Sequence, residues 1–551
     1  MKSIKKICME QKRGKAEIIA LLCYIIGVCV IGYFHEPWFD EAQAWQIARS
    51  ASLKEILFEI PHYEGHPQLW HLVLMPFAKL GTPYEFTLFT INFVFCLASV
   101  ALILFKSPFP KIVRCFIPFT YFFFYQFGVL SRPYSMMMLA FMLSAMTYSN
   151  RNTKPVRYIL ALCFLCATSA YGILFAGGLC IVWVIEIFQE YQKHKLWNKI
   201  SKRFFSLLGI LIFAILLMLC IIPAKDCYYA GSVAATLNIF KSIAYFLMMP
   251  FDSTIGGYLN ENVATTGGII AECVGGVLFW FILLEILHVN KKLITFLVPY
   301  ILFMIFSVFV YFSVHHLGVS TLFIVFIFWI MAEQKMEMPA LFIMLNQKVV
   351  AKSIRVLASI VGILAICMPL AYTVISSVND IFYCYGMRVV AEFIKENNLT
   401  DRKIMSPWSY TNEIPEETGI NLIIWDETLP VDMLPIKKHY PYQNGIAAAS
   451  LPYFDENIFM NFNAEDKQKM YLQEVDRDDS QQVLASWQEQ GLPEIVIGVL
   501  PLKEVYSEEE LQDVTYYWVE TLKCGKIWKQ YRQDQEIKIY IREDVLADYP
   551  Q

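Results

Sequence analysis

Long apolar runs follow one another from the start of the chain to about residue 375, beginning with EIIALLCYIIGVCVI at residues 17–31. About 20 apolar residues in a helix cross the hydrocarbon of a bilayer, and lipid offers the backbone no alternative hydrogen-bond partner. Hydrophobic residues make up 57% of the chain and charged residues only 17%, against about 25% charged in soluble proteins. The sequence therefore predicts a polytopic α-helical membrane protein.

Lys and Arg between the apolar runs indicate the orientation, because cytoplasmic loops are enriched in these residues. The basic clusters KSPFPKIVR (106–114), RNTKPVR (151–157) and YQKHKLWNKISKR (191–203) all fall on one side if residues 66–81 lie in the membrane interface rather than across it. This arrangement predicts about eleven transmembrane helices, given about 20 residues for each. We expect a multi-pass protein of the cell membrane with a cytoplasmic N-terminus.

A second domain is predicted at residues 376–551, after a membrane domain at residues 1–375. It contains 16 Lys and Arg against 31 Asp and Glu, which leaves 29 against 18 for the membrane domain. Anionic lipid and nucleic acid both repel an acidic surface, so we expect an extracytoplasmic location and no nucleic-acid partner. INLIIW, EIVIGVL and EIKIYI are typical of short strands and DIFYCYGMRVVAEFIKENN of a helix, which predicts an α/β domain.

One segment of this domain leaves two interpretations open. NGIAAASLPYFDENIFMNFN, at residues 444–463, is expected to be a surface loop, and the alternative is that it caps a site at the membrane. The domain contains no GxGxxG motif, phosphate-binding loop or metal-ligand spacing.

The first outer loop opens with GYFHEPWFDEAQAWQIARS (32–50), which presents Asp40 and Glu41 directly after the first apolar run. The apolar residues that follow predict two amphipathic helices on the membrane surface, and residues 62–81 a third. Asp40 is a candidate catalytic carboxylate, the alternative being a cap on a helix with an acidic first turn. Glu41 is the second catalytic candidate. On that helix it points about 100° away, so it cannot simply duplicate Asp40 and is expected to orient substrate or neighbouring helices.

The other polar candidates also gather at the predicted outer ends of the apolar runs. The full set is Asp40, Glu41, Glu64, His66, Arg132, Tyr134, His315 and His316. No acidic or basic residue stands near the middle of a predicted span, where ion-coupled transporters keep their ionisable groups. This distribution indicates chemistry at the outer interface on a lipid-anchored molecule.

Three short motifs carry a resemblance to the GT-C glycosyltransferases, in the bacterial branch related to protein O-mannosyltransferases and lipid A aminoarabinose transferases. WFDEAQAW (38–45) is similar to the first-loop motif of that branch, EGHPQLWHLVL (64–74) to its HPPL segment, and SRPYSMMML (131–139) to the entry of the fourth span. The resemblance covers roughly residues 16–335. It implies a GT-C-like fold with interfacial helices in the first outer loop. It also implies that a sugar passes from a polyprenyl-phosphate-linked donor to an envelope glycan, lipid or polymer at the outer face.

The resemblance also implies roles for the candidates. Asp40 would be the catalytic carboxylate, which accepts the proton of a hydroxyl acceptor as that hydroxyl attacks the anomeric carbon. Cations and hydrogen-bond donors at the same interface would stabilise the phosphate leaving group. The implied donor- and substrate-binding residues are Glu64, His66, Arg132, Tyr134, His315 and His316. GVLSRPYS (128–135) lacks the second acid that several members of the family carry, so we expect no metal and no cofactor.

Because only one carboxylate performs chemistry in this interpretation, the predicted reaction is a single displacement that inverts the anomeric configuration. The expected partners are the polyprenyl-phosphate sugar donor, membrane lipid, and a glycan or lipid acceptor. Two alternatives remain, an envelope polysaccharide polymerase and a non-catalytic sugar-lipid binder or transporter. The predicted outer loop at 224–267 contains no arginine, which disfavours the polymerase.

Overall fold

The computed structural model describes most of the chain. The residues described are 14–225, 227, 246–256, 266–310, 316–337, 352–382, 385–406, 420–424, 428–431, 445–461, 466–471, 485, 487–498, 502, 506–528 and 531–549. His315 and most of the predicted outer loop at 224–267 lie outside these residues.

The membrane part consists of helices joined mainly by short turns. The first eight are α1 (Lys15–Phe34), α2 (Phe39–Ser50), α3 (Leu53–Phe58), α4 (Pro61–Glu64), α5 (Leu69–Lys79), α6 (Tyr84–Lys106), α7 (Lys111–Phe116) and α8 (Tyr134–Tyr148). The next seven are α9 (Pro155–Thr168), α10 (Ala170–His194), α11 (Trp197–Ile221), α12 (Thr266–Val289), α13 (Leu293–Phe309), α14 (Leu317–Glu333) and α15 (Lys352–Phe382).

Within the described part of the chain, four helices are long and apolar enough to cross a membrane, namely α1, α6, α10 and α11 from Ile200 onward. Shorter apolar helices are α8, α9, α13, α14 and α12 from Cys273 onward. The outer face of α11 shows why these helices need lipid. Leu211, Ile215 and Leu219 recur every four residues and are 54%, 47% and 56% exposed, and an apolar stripe of this size is not left to water. The protein is therefore a mostly helical membrane protein.

The predicted third span, residues 112–129, is not one continuous helix. It consists of α7, a 3₁₀ turn (Ile117–Phe119) and a π-helical turn (Phe122–Gln126). Pro118 has no backbone N–H and so cannot continue the helical hydrogen-bond pattern. A second break lies at Ser169, whose extended backbone separates α9 from α10.

Ion pairs join helix ends at one side of the bundle. In α7, Arg114 donates from Nε to Glu17, near the start of α1, at 2.9 Å. Arg151 follows α8 and donates to Glu186, near the end of α10, at 2.6 Å. Helix α8 begins beside the C-terminus of α1, where Ser131 donates to Glu41, and Arg151 follows its far end. Both pairs therefore lie at the end of the bundle opposite to the C-terminus of α1.

The first outer loop is more deeply buried than an amphipathic surface segment would be. Residues 41–48 of α2 are all buried, so the prediction that α2 lies on the membrane surface is wrong. Trp45 is 2% exposed and packs with Trp70 and Leu74 of α5. Helix α5 is less completely covered, since Phe77 near its end is 41% exposed.

The C-terminal part contains one six-stranded sheet with short helices. Its elements are α16 (Met387–Glu396), β1 (Ile404–Met405), β2 (Ile420–Ile424), β3 (Thr428–Val431), α17 (Gly445–Ser450), β4 (Ile495–Ile497), α18 (Glu508–Leu511), β5 (Tyr516–Trp528), β6 (Tyr531–Arg542) and α19 (Glu543–Leu546). The strand order is β1-β4-β6-β5-β2-β3, with β1–β4 and β2–β5 parallel and the other neighbours antiparallel.

Two boundaries differ from the sequence predictions. Helix α15 continues to Phe382, so the predicted division between residues 375 and 376 falls inside a helix. The single helix predicted from DIFYCYGMRVVAEFIKENN is interrupted by Gly386, whose φ of 100° is open to glycine and strained for other residues. Helix α16 begins only after this turn.

The segment at 444–463 is not a surface loop. It forms α17 and a 3₁₀ turn (Leu451–Tyr453), and Ala447–Ala449 are at most 1% exposed. These small side chains allow α17 to pack closely against α2, where Ala42 is fully buried in the same cluster. Arg49, near the end of α2, donates to the backbone oxygen of Phe454 at 2.8 Å. The segment therefore covers the helix that carries Asp40.

Helices α10 and α13 provide a test of the packing. A Cβ at Gly178 would overlap the backbone of Pro299, whereas a Cβ at the neighbouring Gly177 would meet no atom within 4 Å. We expect Gly178→Ala to destabilise the protein by about 1–3 kcal/mol, as overpacking of a close contact does. Gly177→Ala should be neutral or slightly stabilising, because alanine favours helix. Thermal unfolding of the purified protein in detergent measures both, and equal melting of the two variants would contradict this packing.

Candidate functional site

The turn between α1 and α2 places two neighbouring acids in different surroundings. Helix α1 ends at Phe34, and Pro37 keeps the connection extended because the residue before a proline avoids the helical conformation. Trp38 is the N-cap of α2, so the alternative in which Asp40 caps the helix is wrong. The Asp40 side chain is 29% exposed, whereas Glu41 is fully buried. Only Asp40 can therefore meet a ligand from outside.

Asp40 forms an ion pair with Arg132, which comes from the segment before α8. Nη1 of Arg132 donates to Oδ2 of Asp40, and the Arg132 side chain is 13% exposed. The Cζ atom of Arg132 lies 5.6 Å from the ring centroid of Trp38 and 5.9 Å from that of Tyr134. Aromatic faces attract a guanidinium at these distances. The site thus presents a carboxylate and a cation side by side, with aromatic rings against the cation.

Tyr134 extends the site to α10 and α14. Its ring centroid lies 5.9 Å from that of His316, and the ring of Tyr171 lies 4.9 Å from the same imidazole. His316 immediately precedes α14 and is 1% exposed. The segments before α8 and α14 and the start of α10 therefore meet beside Asp40.

Glu41 faces away from this site and takes part in a buried charge cluster. It accepts hydrogen bonds from Nε2 of His35 at 3.0 Å and from the backbone N–H groups of Trp38 at 3.1 Å and Ser131 at 2.5 Å. The other ring nitrogen of His35, Nδ1, lies 2.9 Å from a carboxylate oxygen of Asp380, at the end of α15. Glu41 thus holds α1, α2 and the Arg132 segment together.

His35 is held in its charged form by this geometry. Carboxylates only accept hydrogen bonds, and an imidazole that donates from both nitrogens is protonated. Burial by itself would lower the pKa of His35, but Asp380 and Glu41 outweigh it and raise that pKa well above its ordinary value. The cluster is therefore an imidazolium between two buried carboxylates.

Glu64 ends α4, and His66 follows it by two residues. Gln43 stands one turn beyond Asp40 and donates to Glu64 at 3.1 Å. His66 is half-buried, and its Nδ1 and that of His71 have no hydrogen-bond partner among the described residues. Burial lowers the pKa of each imidazole to about 4. Both histidines are therefore neutral at pH 7.

The structure thus brings together four of the eight predicted residues, Asp40, Arg132, Tyr134 and His316. Glu41 lies behind them, and Glu64 adjoins them through α2. His315 lies outside the described residues. In the described part of the chain, no group of three His, Cys, Asp or Glu side chains stands close enough to hold a metal ion.

Sequence reasoning missed three buried residues, His35, Glu36 and Asp380. Glu36 accepts hydrogen bonds from the backbone N–H groups of Gly386 at 3.0 Å and Arg388 at 2.7 Å. The sequence carried a signal for the first two, because HEP directly precedes WFDE at the end of an apolar run. Asp380 gave a weaker signal, as the first acid after the last apolar run.

The chain matches no protein-family model, no curated protein and no solved structure. The chemistry of the site and the short motifs are therefore what indicate the function.

We expect His35→Ala to destabilise the protein strongly, because it leaves Glu41 and Asp380 as buried carboxylates without their shared cation. Removing one partner of a buried ion pair costs about 3–5 kcal/mol. His194→Ala is the matched control, since His194 is an exposed histidine at the end of α10. Thermal unfolding in detergent should show a large loss for the first variant and little change for the second. A small loss at His35 would mean that the cluster contributes little to stability.

Stability should also fall in mild acid because of His66 and His71. Both titrate at about 4 in the folded protein and near 6.5 when unfolded. The unfolded chain therefore binds more protons as the pH falls from about 6.5 to about 4, and the folded state is disfavoured over that range. The double variant His66→Asn, His71→Asn should lose part of the wild-type dependence of melting temperature on pH between 7 and 4.5. An identical dependence in both proteins would contradict the assignment.

Proposed function

We propose that this protein is a membrane glycosyltransferase, a hexosyltransferase that uses a lipid-linked sugar. It transfers the sugar from a polyprenyl-phosphate donor to a glycan, lipid or polymer of the envelope at the outer face of the membrane. The observation that carries the proposal is the meeting of Asp40 and Arg132, a partly exposed carboxylate and a cation from two separate segments. Transfer from a sugar phosphate needs both groups. The carboxylate accepts the proton of the acceptor hydroxyl, and the cation stabilises the leaving phosphate.

Asp40 is the proposed base. As the acceptor hydroxyl attacks the anomeric carbon, its oxygen gains positive charge and its proton must leave, and a carboxylate within hydrogen-bond reach accepts it. Glu41 is the wrong group for this task, because it is fully buried and already accepts three hydrogen bonds. With one carboxylate in chemical contact, the proposed reaction is a single displacement with inversion.

Arg132 is the proposed partner of the leaving phosphate. The bond from the anomeric carbon to the phosphate oxygen breaks with its electron pair on that oxygen, and a guanidinium stabilises the added charge by charge-assisted hydrogen bonds. Tyr134 adjoins Arg132, and His316 adjoins Tyr134. Both would line the donor site, as would His315, Glu64 and His66. The resemblance of the three motifs to GT-C enzymes supports the same assignment.

We also propose about eleven transmembrane helices, since each needs about 20 apolar residues, with the N-terminus cytoplasmic and the acidic C-terminal domain extracytoplasmic. Contacts between helix ends support this topology. Arg388, after α15, pairs with Glu85, at the start of α6, at 2.8 Å, and both belong to the proposed outer side. Arg114 and Glu17 pair on the proposed cytoplasmic side.

Asp40→Asn tests the proposal. The variant keeps the size of the side chain and removes its basicity, so transfer should fall about 10²–10⁴-fold, the usual contribution of a general base. The assay follows radiolabelled polyprenyl-phosphate sugars in membranes that contain the full-length protein. Asp455→Asn is the control, because Asp455 is a fully exposed acid in the same C-terminal part that covers α2, and it should transfer like the wild type.

Unchanged transfer by Asp40→Asn would remove Asp40 from the chemistry. Failure of the wild type to transfer any of the sugars, together with retained binding of the sugar lipid, would favour the non-catalytic binder.

A further inference from the structure

The ion pair between Asp40 and Arg132 joins two groups that the proposed reaction needs apart. A carboxylate oxygen that accepts a hydrogen bond from a guanidinium cannot take a proton from a substrate hydroxyl in the same direction. A guanidinium edge that faces a carboxylate is likewise closed to a phosphate, because Arg binds both anions through the same N–H groups. The structure thus shows Nη1 of Arg132 and Oδ2 of Asp40 occupied by each other.

The surroundings of the pair favour an exchange of partners rather than a movement of the backbone. The segment of Arg132 is fixed next to α2 because the backbone N–H of Ser131 donates to Glu41 at 2.5 Å. The Arg132 guanidinium is also held by the rings of Trp38 and Tyr134. The attraction to a ring face does not use the N–H edge. Arg132 can therefore stay in place while the anion at its edge changes.

Asp40 has room to leave the pair. Its side chain is 29% exposed, against 13% for that of Arg132, and its neighbour Glu41 supplies the buried contacts that hold the first turn of α2. The phosphodiester of a polyprenyl-phosphate sugar carries a negative charge and two free acceptor oxygens, as a carboxylate does, and so matches the same guanidinium edge. It can therefore compete for Arg132, and its charge repels the carboxylate that it replaces.

We infer that Asp40 occupies the anion site of Arg132 in the resting protein, and that the phosphate of the polyprenyl donor displaces it. This inference rests on the proposed function and adds an order of events. Donor binding releases the Asp40 carboxylate, which then accepts the acceptor's hydroxyl proton as the new carbon–oxygen bond forms. The carbon–oxygen bond to the phosphate breaks, and its electron pair remains on the phosphate that Arg132 holds. The base is thus free only when a donor is present.

The consequence that can be measured is the effect of Asp40 on phosphate binding. Removing the charge of Asp40 removes the competitor for Arg132, so Asp40→Asn should bind a prenyl phosphate more tightly, by about two- to fivefold for a partly exposed ion pair. Arg132→Gln should bind it at least about tenfold more weakly, because it loses a charge-assisted hydrogen bond. A catalytic base that does not occupy the N–H edge of Arg132 would give a smaller gain in affinity when mutated, from the loss of screened charge repulsion alone.

The experiment uses isothermal titration calorimetry on the full-length protein in detergent, with a short-chain prenyl phosphate and the matching prenyl alcohol. The control variant is Glu186→Gln, which breaks a similar Arg–carboxylate pair at the opposite end of the bundle and should bind like the wild type. The expected result is binding of the phosphate but not of the alcohol, tighter in Asp40→Asn and weaker in Arg132→Gln.

The other outcomes separate the two proposals. If the wild type and Arg132→Gln behave as expected but Asp40→Asn binds no more tightly than the wild type, the competition is overturned and the glycosyltransferase proposal stands. If the wild type does not distinguish the phosphate from the alcohol, the donor site fails and the competition fails with it.

Discussion

A buried imidazolium between two carboxylates holds the site together. His35 lies at the end of the first helix, Glu41 in the next helix, and Asp380 at the end of the helix that leads to the C-terminal part. Each carboxylate would be costly to bury without a counter-charge. The shared cation therefore requires the three elements to meet at one point. Glu41 also accepts a hydrogen bond from the backbone N–H of Ser131, and this bond fixes the Arg132 segment beside the same three elements.

This arrangement explains how two adjacent acids perform different tasks. Side chains one residue apart on a helix point about 100° from each other, so Asp40 and Glu41 cannot share an environment. Glu41 is enclosed and accepts from three donors, whereas Asp40 faces the partly open side and pairs with Arg132. The inner acid fixes the geometry, and the outer acid remains available to a ligand.

The helical membrane part could be predicted from the sequence, because the lengths of the apolar runs and the positions of basic clusters and prolines can be read within short stretches of the chain. The sequence also indicated that Asp40 and Arg132 lie on the same side of the membrane. It did not predict the burial of α2, since that depends on α17, about 400 residues later in the chain. Nor could periodicity show that His35 would meet Asp380, because the pair is 345 residues apart. Composition placed the domain boundary before Asp380, where the apolar run stops, although the helix continues to Phe382.

The contact between α17 and α2 has a consequence for how the chain is made. Synthesis proceeds from the N-terminus, so α2 leaves the ribosome long before the Ala447–Ala449 surface that covers it. Until that surface arrives, Ala42 and the rest of this face of α2 have no protein neighbour from the C-terminal part. The first outer loop therefore completes its folding only near the end of translation. A protein shortened at residue 375 would lack both Asp380 and this cover, so His35 and α2 would lose these contacts with the C-terminal part.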